Sequence, residues 1–244
     1  MLIRADLHLH TVLSPCAEVE MIPPLIVERA LEQHLDLIAI ADHNASANVP
    51  AVLDAARGTG LKVWAGMELQ TREEVHVLCL FDTVRQLRAL QAELELALPN
   101  LRNAPDKLGE QFIVDAAGDF VAREERLLLI AAALTLEGVV GEVNALGGMA
   151  IPAHIDRVEN GLIPLLGFEP PRLAVPAVEI SANIAASEAR ARFHLPHHLA
   201  VIRGSDAHWL DAIGRAVTEL GFEGTRSVAN VARALREKRY SIQN

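Results

Sequence analysis

Six of the chain's ten histidines stand where short apolar runs begin or stop. The first run ends in Asp6-Leu7-His8-Leu9-His10, and because alternate residues of a strand share a face, His8 and His10 can hold one metal ion together. Residues 37–41 are apolar throughout and break into Asp42-His43-Asn44. A third run ends in Gly66-Met67-Glu68, whose carboxylate can bridge two cations with its two oxygens. Glu74-Val75-His76 opens the next run, residues 150–153 deliver His154, and residues 200–205 deliver Asp206 and His208. Singly, each motif has a bland reading: a chance HxH pair, a solvated strand-end acid. Together, histidines and carboxylates at successive strand ends converge only if the strands form one barrel, and such a cluster marks a metal site.

The elements needed to bring these groups together are legible. Residues 37–41, 61–65, 75–81, 148–153, 178–181 and 200–204 read as strands, separated by amphipathic stretches at 24–34, 49–57 and 84–98. This βα rhythm predicts a mostly parallel sheet or barrel, whose chemistry belongs at the C-terminal ends of its strands. Residues 99–147 break the rhythm. Gln111–Asp115 and Gly118–Val121 read as a small hairpin, and residues 123–146 as helical with an interruption near Thr135. The expectation is one barrel domain over residues 1–244 with an insertion at about 99–147. A last helix, from Ser227 to about Lys238, gathers basic residues at its C-terminus, where the helix dipole favours cations.

Composition narrows the function classes. A hydrophobic fraction of 51% and a mean hydropathy of +0.22 supply a large core. The net charge of −10 gives no bulk attraction to nucleic acid or anionic lipid, so only short oligonucleotides are expected as nucleic-acid substrates. Two cysteines outside any CxxC pair, an N-terminus that turns polar early and the lack of a membrane-length apolar run predict a cytoplasmic protein with no membrane partner. Cys79, inside an apolar strand, reads as core. His34, His194, His197 and His198 read as surface or structural residues.

In order and spacing these motifs resemble the PHP (polymerase and histidinol phosphatase) family, matched at Asp6–His10, Asp42–His43, His154 and Asp206–His208, with Glu68 and His76 between them. The resemblance extends to about residue 220 and is close to a bacterial branch reading DLHxHT..SPC, GMExQTxEEVH and GEQ. It implies a distorted (β/α)7 TIM-like barrel holding two to three divalent ions, zinc, manganese or iron. By position, one metal would take His8, His10, Glu68 and Asp206. A second would share Glu68 and add His76 and His154, and a third would take Cys16, His43 and His208. Family members carry His or Asp where Cys16 stands, and a thiolate favours a softer ion. Asp6 and Asp42, beside ligands, are expected to orient imidazoles or cap local turns.

The chemistry implied is hydrolysis of a small phosphate ester, a monoester or nucleotide, by a metal-activated hydroxide. Arg157, three residues after His154, would clamp the phosphate, with Arg72 and Arg215 as weaker candidates, and a metal-bound water or His208 would protonate the leaving group. Glu68 and Asp206 complete the catalytic set. Three readings compete: an exonuclease on short oligonucleotides, an amidohydrolase, and a non-catalytic metal-binding module. Amidohydrolase barrels use a lysine as bridging ligand. Lys62 precedes its strand's end and Glu68 takes that place, which favours the phosphoesterase.

Overall fold

The computed structural model describes residues 2–167 and 173–242. In chain order its elements are β1 (Leu2–Leu9), α1 (Pro23–Glu32), β2 (Leu37–Ile40), α2 (Val49–Ala55), β3 (Lys62–Gln70), β4 (His76–Phe81), α3 (Val84–Ala97), α4 (Pro105–Leu108), β5 (Phe112–Val114) and β6 (Phe120–Arg123). Then follow α5 (Leu136–Ala145), β7 (Met149–Pro152), α6 (Leu162–Leu166), β8 (Ala177–Glu179), α7 (Ala186–Arg192), β9 (Ala200–Ile202), β10 (Thr218–Gly221), α8 (Val228–Arg236) and β11 (Tyr240–Ile242). A curled seven-stranded sheet in the order β11-β10-β1-β2-β3-β4-β7 meets a parallel pair, β8-β9. Ile155 N donates to Glu179 O at 2.9 Å at one junction. At the other, Ala207 N donates to His8 O and His10 N to Ala207 O. The result is the distorted (β/α)7 barrel, in which β1, β2, β3, β4, β7, β8 and β9 form the ring and β10-β11 extend one edge.

Within the ring, one strand runs against the others. β4 pairs antiparallel with both β3 and β7, because only five residues separate Gln70 from His76. A parallel return needs a crossover of a dozen or more residues, so this connection has to be a hairpin. The reversal puts the first residue of β4, His76, at the same end of the barrel as the last residues of its neighbours.

Inside the ring, Ile3, Ala5, Leu7, Leu37, Ala39, Leu78, Leu80 and Ile151 form one buried cluster with Val231 and Leu235 of α8. That helix closes the end of the barrel remote from the histidines. Between Asp6 and Leu9, β1 has one residue more than β2 opposite it. This bulge shifts the alternation, so the apolar inward set Ile3, Ala5, Leu7 is followed directly by His8 and His10.

The hairpin of the insertion forms as expected, from β5 and β6, but residues 124–134 are not helical. Their backbone is spent on distant partners: Glu124 N on Gln111 O, Leu127 N on Leu101 O, Ala132 N on Gln70 O and Ala133 N on Ala97 O. The helix starts only where Thr135 caps Gly138 N at 3.1 Å. Buried amides pin the segment to the barrel. Asn44 Nδ2 donates to Leu128 O and Ile130 O, and Asn48 bonds Phe112 O and Val114 N. Gln111 Nε2 donates to Glu124 O and Arg126 O.

Candidate metal centre

Glu68, at the end of β3 and 1% exposed, stands at the centre of the cluster. Its Oε1 lies 2.9 Å from His76 Nδ1, 3.0 Å from His154 Nε2 and 3.3 Å from His8 Nε2. Its Oε2 lies 2.9 Å from His43 Nδ1 and 3.5 Å from His10 Nε2. Five imidazoles from four strand ends therefore converge on one carboxylate. Asp206 faces the same imidazoles, 3.1 Å from His10 and 3.3 Å from His8. The rings of His10 and His208 stack at 4.1 Å.

The donor set fits divalent cations. Glu68 Oε2, His76 Nδ1 and His154 Nδ1 are buried without a hydrogen bond of acceptable geometry, although nitrogen and oxygen atoms crowd around the first two. Neutral imidazoles and carboxylates at such spacing leave lone pairs that a cation satisfies and a hydrogen-bond network does not. Three overlapping groups lie close enough to share ions: His8 with His10, Glu68 and Asp206; His43 with Glu68 and His76; and His10 with His43 and His208. This is a multinuclear divalent-metal site.

Electrostatics follow from the crowding. Burial pushes the Glu68 carboxyl up, but His76, His8 and His43 hold it well below the usual carboxylate range. Burial, with His208 and His43 beside it, keeps His10 well below its ordinary value and neutral, the form that ligates. Burial works against the charged form of His43 too, yet Glu68 and Cys16 raise it to about 10. Cys16 is exposed at the rim, in one cavity with His208 and His43. Those imidazoles overcome desolvation and bring its thiol down to about 7.

The structure thus brings together His8, His10, His43, Glu68, His76, His154, Asp206 and His208, with Cys16 at the edge. His76 Nδ1 and His154 Nε2 approach the same oxygen of Glu68, at 2.9 and 3.0 Å, and Cys16 lines one cavity with His43 and His208. Arg157 lines the same cavity of about 370 Å³. Its guanidinium, 43% exposed, pairs with Asp206 Oδ2 at 2.5 Å. Arg72 is exposed beside Glu73, and Arg215 is exposed. His34, His194, His197 and His198 are exposed away from the cluster, and Cys79 is buried in the core.

Asp42 reaches an imidazole through an intermediary. It accepts from Thr11 N, Thr11 Oγ1 and Ser14 Oγ at 2.7 to 2.8 Å, and Ser14 Oγ lies 2.9 Å from His10 Nδ1. Asp6 instead accepts from Ser205 N and Gly214 N, tying down the loop that carries Asp206. His154 and Asp206 both adopt positive φ, 26° and 49°, a sparsely populated conformation for residues with a Cβ and one that recurs at functional sites.

Sequence reading missed Glu179. Buried to 1%, it accepts His154 N at 3.2 Å on Oε2, which also lies 2.9 Å from His8 Nδ1. That contact turns His8 Nε2 toward Glu68 and Asp206. The signal was a single acid inside the apolar run 177–180. Glu179→Gln should cost about 10- to 100-fold in metal affinity or activity, the range for loss of an outer carboxylate partner of a ligating histidine. Metal titration followed by calorimetry checks it, and unchanged affinity would remove Glu179 from the site's support.

A buried multinuclear histidine–carboxylate centre at the mouth of a distorted barrel defines a metal-dependent hydrolase. The PHP domain model matches residues 6–144, and the PHP-associated model matches residues 183–240. The chain belongs to the PHP-domain family. No curated protein matches it in sequence. Its fold is similar to that of the lesion-specific endonuclease PfuEndoQ from Pyrococcus furiosus, with TM-score 0.76 and 19% identity over 99% of this chain and 58% of that one. Endonuclease Q in complex with a 27-mer duplex carrying an abasic lesion at the active site gives TM-score 0.75 and 18% identity, covering 97% and 57%. An amidohydrolase from Chromobacterium violaceum, with bound sulfate and no metal, gives 0.59 and 21%, covering 98% and 97%. The chain spans less than two thirds of the endonuclease chains. At these identities the likeness establishes the fold. No helix among the described residues is long and apolar enough to cross a membrane.

Proposed function

We propose that this protein hydrolyses phosphodiester linkages of nucleic acid, acting on short or accessible strands. The observation that carries the hydrolytic reading is Glu68, a buried carboxylate faced by five histidines from four strand ends. The nucleic-acid substrate is supported by the fold likeness to endonuclease Q, higher in TM-score than that to the amidohydrolase. The net charge of −10 disfavours long-range attraction of a duplex, which directs the reading to short substrates.

His8, His10, His43, Glu68, His76, His154, Asp206 and His208, with Cys16 at the rim, would hold two to three divalent ions, zinc, manganese or iron. Bound there, such ions supply a nucleophilic water at neutral pH and neutralise phosphoryl oxygens. Arg157 exchanges its Asp206 partner for a phosphoryl oxygen and fixes the linkage in the cavity. Its half-exposed position gives it the freedom to do so. His208 Nδ1 is committed to the Asp206 carbonyl at 2.8 Å, so a proton for the leaving oxygen, or a cation, sits at Nε2. The strand-end residues exclude bulk water from the carboxylates, which strengthens every charge interaction in the site.

A panel of phosphomonoesters, phosphodiesters, nucleotides and short oligonucleotides, assayed after metal removal and again after manganese or zinc is restored, tests this. Metal-dependent cleavage of oligonucleotides above monoesters is expected. Faster release from monoesters would replace the nuclease with a small-ester phosphatase, the reading that the modest cavity also fits. Hydrolysis of C–N bonds alone would make the chain an amidohydrolase, and a fully metallated inert protein would make it a binding module.

A further inference from the structure

Beside the loop that carries Cys16, the insertion leaves an apolar groove of about 440 Å³, with Val12, Val19 and Ile22 on one wall and Phe112, Phe120 and Arg123 on the other. The two phenyl rings meet edge to face, 5.8 Å between centroids, and the Arg123 guanidinium lies 5.4 Å over the Phe112 ring. Val19 and Phe120 remain 65% and 62% exposed. The groove is built by specific contacts. Phe112 N donates to Val12 O at 3.1 Å. At the hairpin tip Gly118, φ +86°, sits so close to Ile22 that a Cβ there would lie 2.6 Å from its Cδ1.

The segment that walls the groove is tied to the metal centre: Glu18, next to Val19, donates from its N to His208 O at 2.8 Å. Val12 is two residues from His10, so their Cα atoms lie within about 7 Å by chain geometry alone. The geometry points to this groove as a subsite for one nucleobase of a phosphodiester substrate, flanking the linkage held at the metal centre; this rests on the phosphodiester reading above. Aromatic faces and a stacked guanidinium are the surfaces on which bases stack without sequence preference. The charges nearby favour the base over its phosphate. Glu110 pairs with Arg123 at 3.2 Å, and Asp115 and Asp119 occupy the hairpin turn, so the walls repel an anion and admit an uncharged ring. The volume is that of a small-ligand pocket, about 300–1,000 Å³.

Phe120→Ala tests the proposal, because an exposed ring can be removed without unfolding the chain. A dinucleotide containing 2-aminopurine, joined by an uncleavable methylene phosphonate linkage, should lose fluorescence on binding the full metal-loaded chain. The variant should bind about tenfold more weakly. For cleavable substrates, KM should rise about tenfold for a dinucleotide and stay unchanged for the same sugar–phosphate diester without bases, with kcat unaffected. Absence of quenching, or an equal loss for both diesters, would overturn the subsite. Self-association that Phe120→Ala abolishes would reassign the groove to contact between copies. Hydrolysis of neither diester would refute the phosphodiester reading alone, while the fluorescence titration would still decide the groove.

Discussion

Replacing Glu68 with Gln is expected to lower turnover of every phosphate ester by at least about 1,000-fold, close to 4 kcal/mol of transition-state stabilisation, while the chain still folds. Gln matches Glu in volume, so the substitution opens no new cavity. What changes is charge and donor type. The carboxylate presents one oxygen to His76, His154 and His8 and the other to His43 and His10. An amide offers a single oxygen and turns an NH2 group toward nitrogens that a cation would need. It cannot bridge two ions, and it removes the negative charge that balances them. Metal analysis of the purified variant should show at least one ion fewer per chain, with an unchanged circular dichroism spectrum. A Glu68→Gln protein that keeps its full metal content and activity within tenfold of the parent would remove Glu68 from the centre of the mechanism.

Much of this centre was legible before any fold was known, for a physical reason. A polar residue that ends a run such as Leu37-Ile38-Ala39-Ile40-Ala41 can sit only at the mouth of a buried strand, so His43, Glu68, His154 and Asp206 declare their positions by what precedes them. The antiparallel β4 was equally determined, by a connection too short for any crossover, but that constraint lies in length rather than residue type. Less was visible where side chains act at a distance in sequence. Glu179 meets His8 across 171 residues, and Ser14 becomes a relay between Asp42 and His10 only once the loop after β1 has folded back. Residues 124–134 carried enough helix-forming Glu, Arg, Leu and Ala to read as helical. Their partners are Gln111, Asn44 and strand β3, which propensity does not see.

A single added methyl at Gly204 should disable the site almost as thoroughly as loss of a ligand. Gly204 precedes Asp206 by two residues, and a Cβ there would lie 2.5 Å from Glu179 Oε1, 2.7 Å from His8 Cβ and 3.3 Å from His8 N. None of these atoms can give way cheaply. His8 is held in β1 by Ala207 N on its carbonyl, and Glu179 by His8 Nδ1 and His154 N. Relief has to come from separating the β9 loop from β1, which moves Asp206 away from His8 and His10. Overpacking of this kind costs about 1–3 kcal/mol in stability, and a displacement of about 1 Å in a reacting group costs about 100-fold in rate. Gly204→Ala should therefore lower both the melting temperature and kcat/KM, the latter by about 100-fold, and weaken metal binding. Gly141→Ala, in an open position of α5 with nothing within 4 Å, should leave activity unchanged and serve as the control. Combining Gly204→Ala with Glu179→Ala removes the nearest of the three obstructions. The second substitution should then cost less than it does in the parent, a coupling that a double-mutant cycle measures directly. Strictly additive losses would mean that Gly204 and Glu179 act independently, and parental activity in Gly204→Ala would show that the approach of β9 to β1 does not set the geometry of the metal centre.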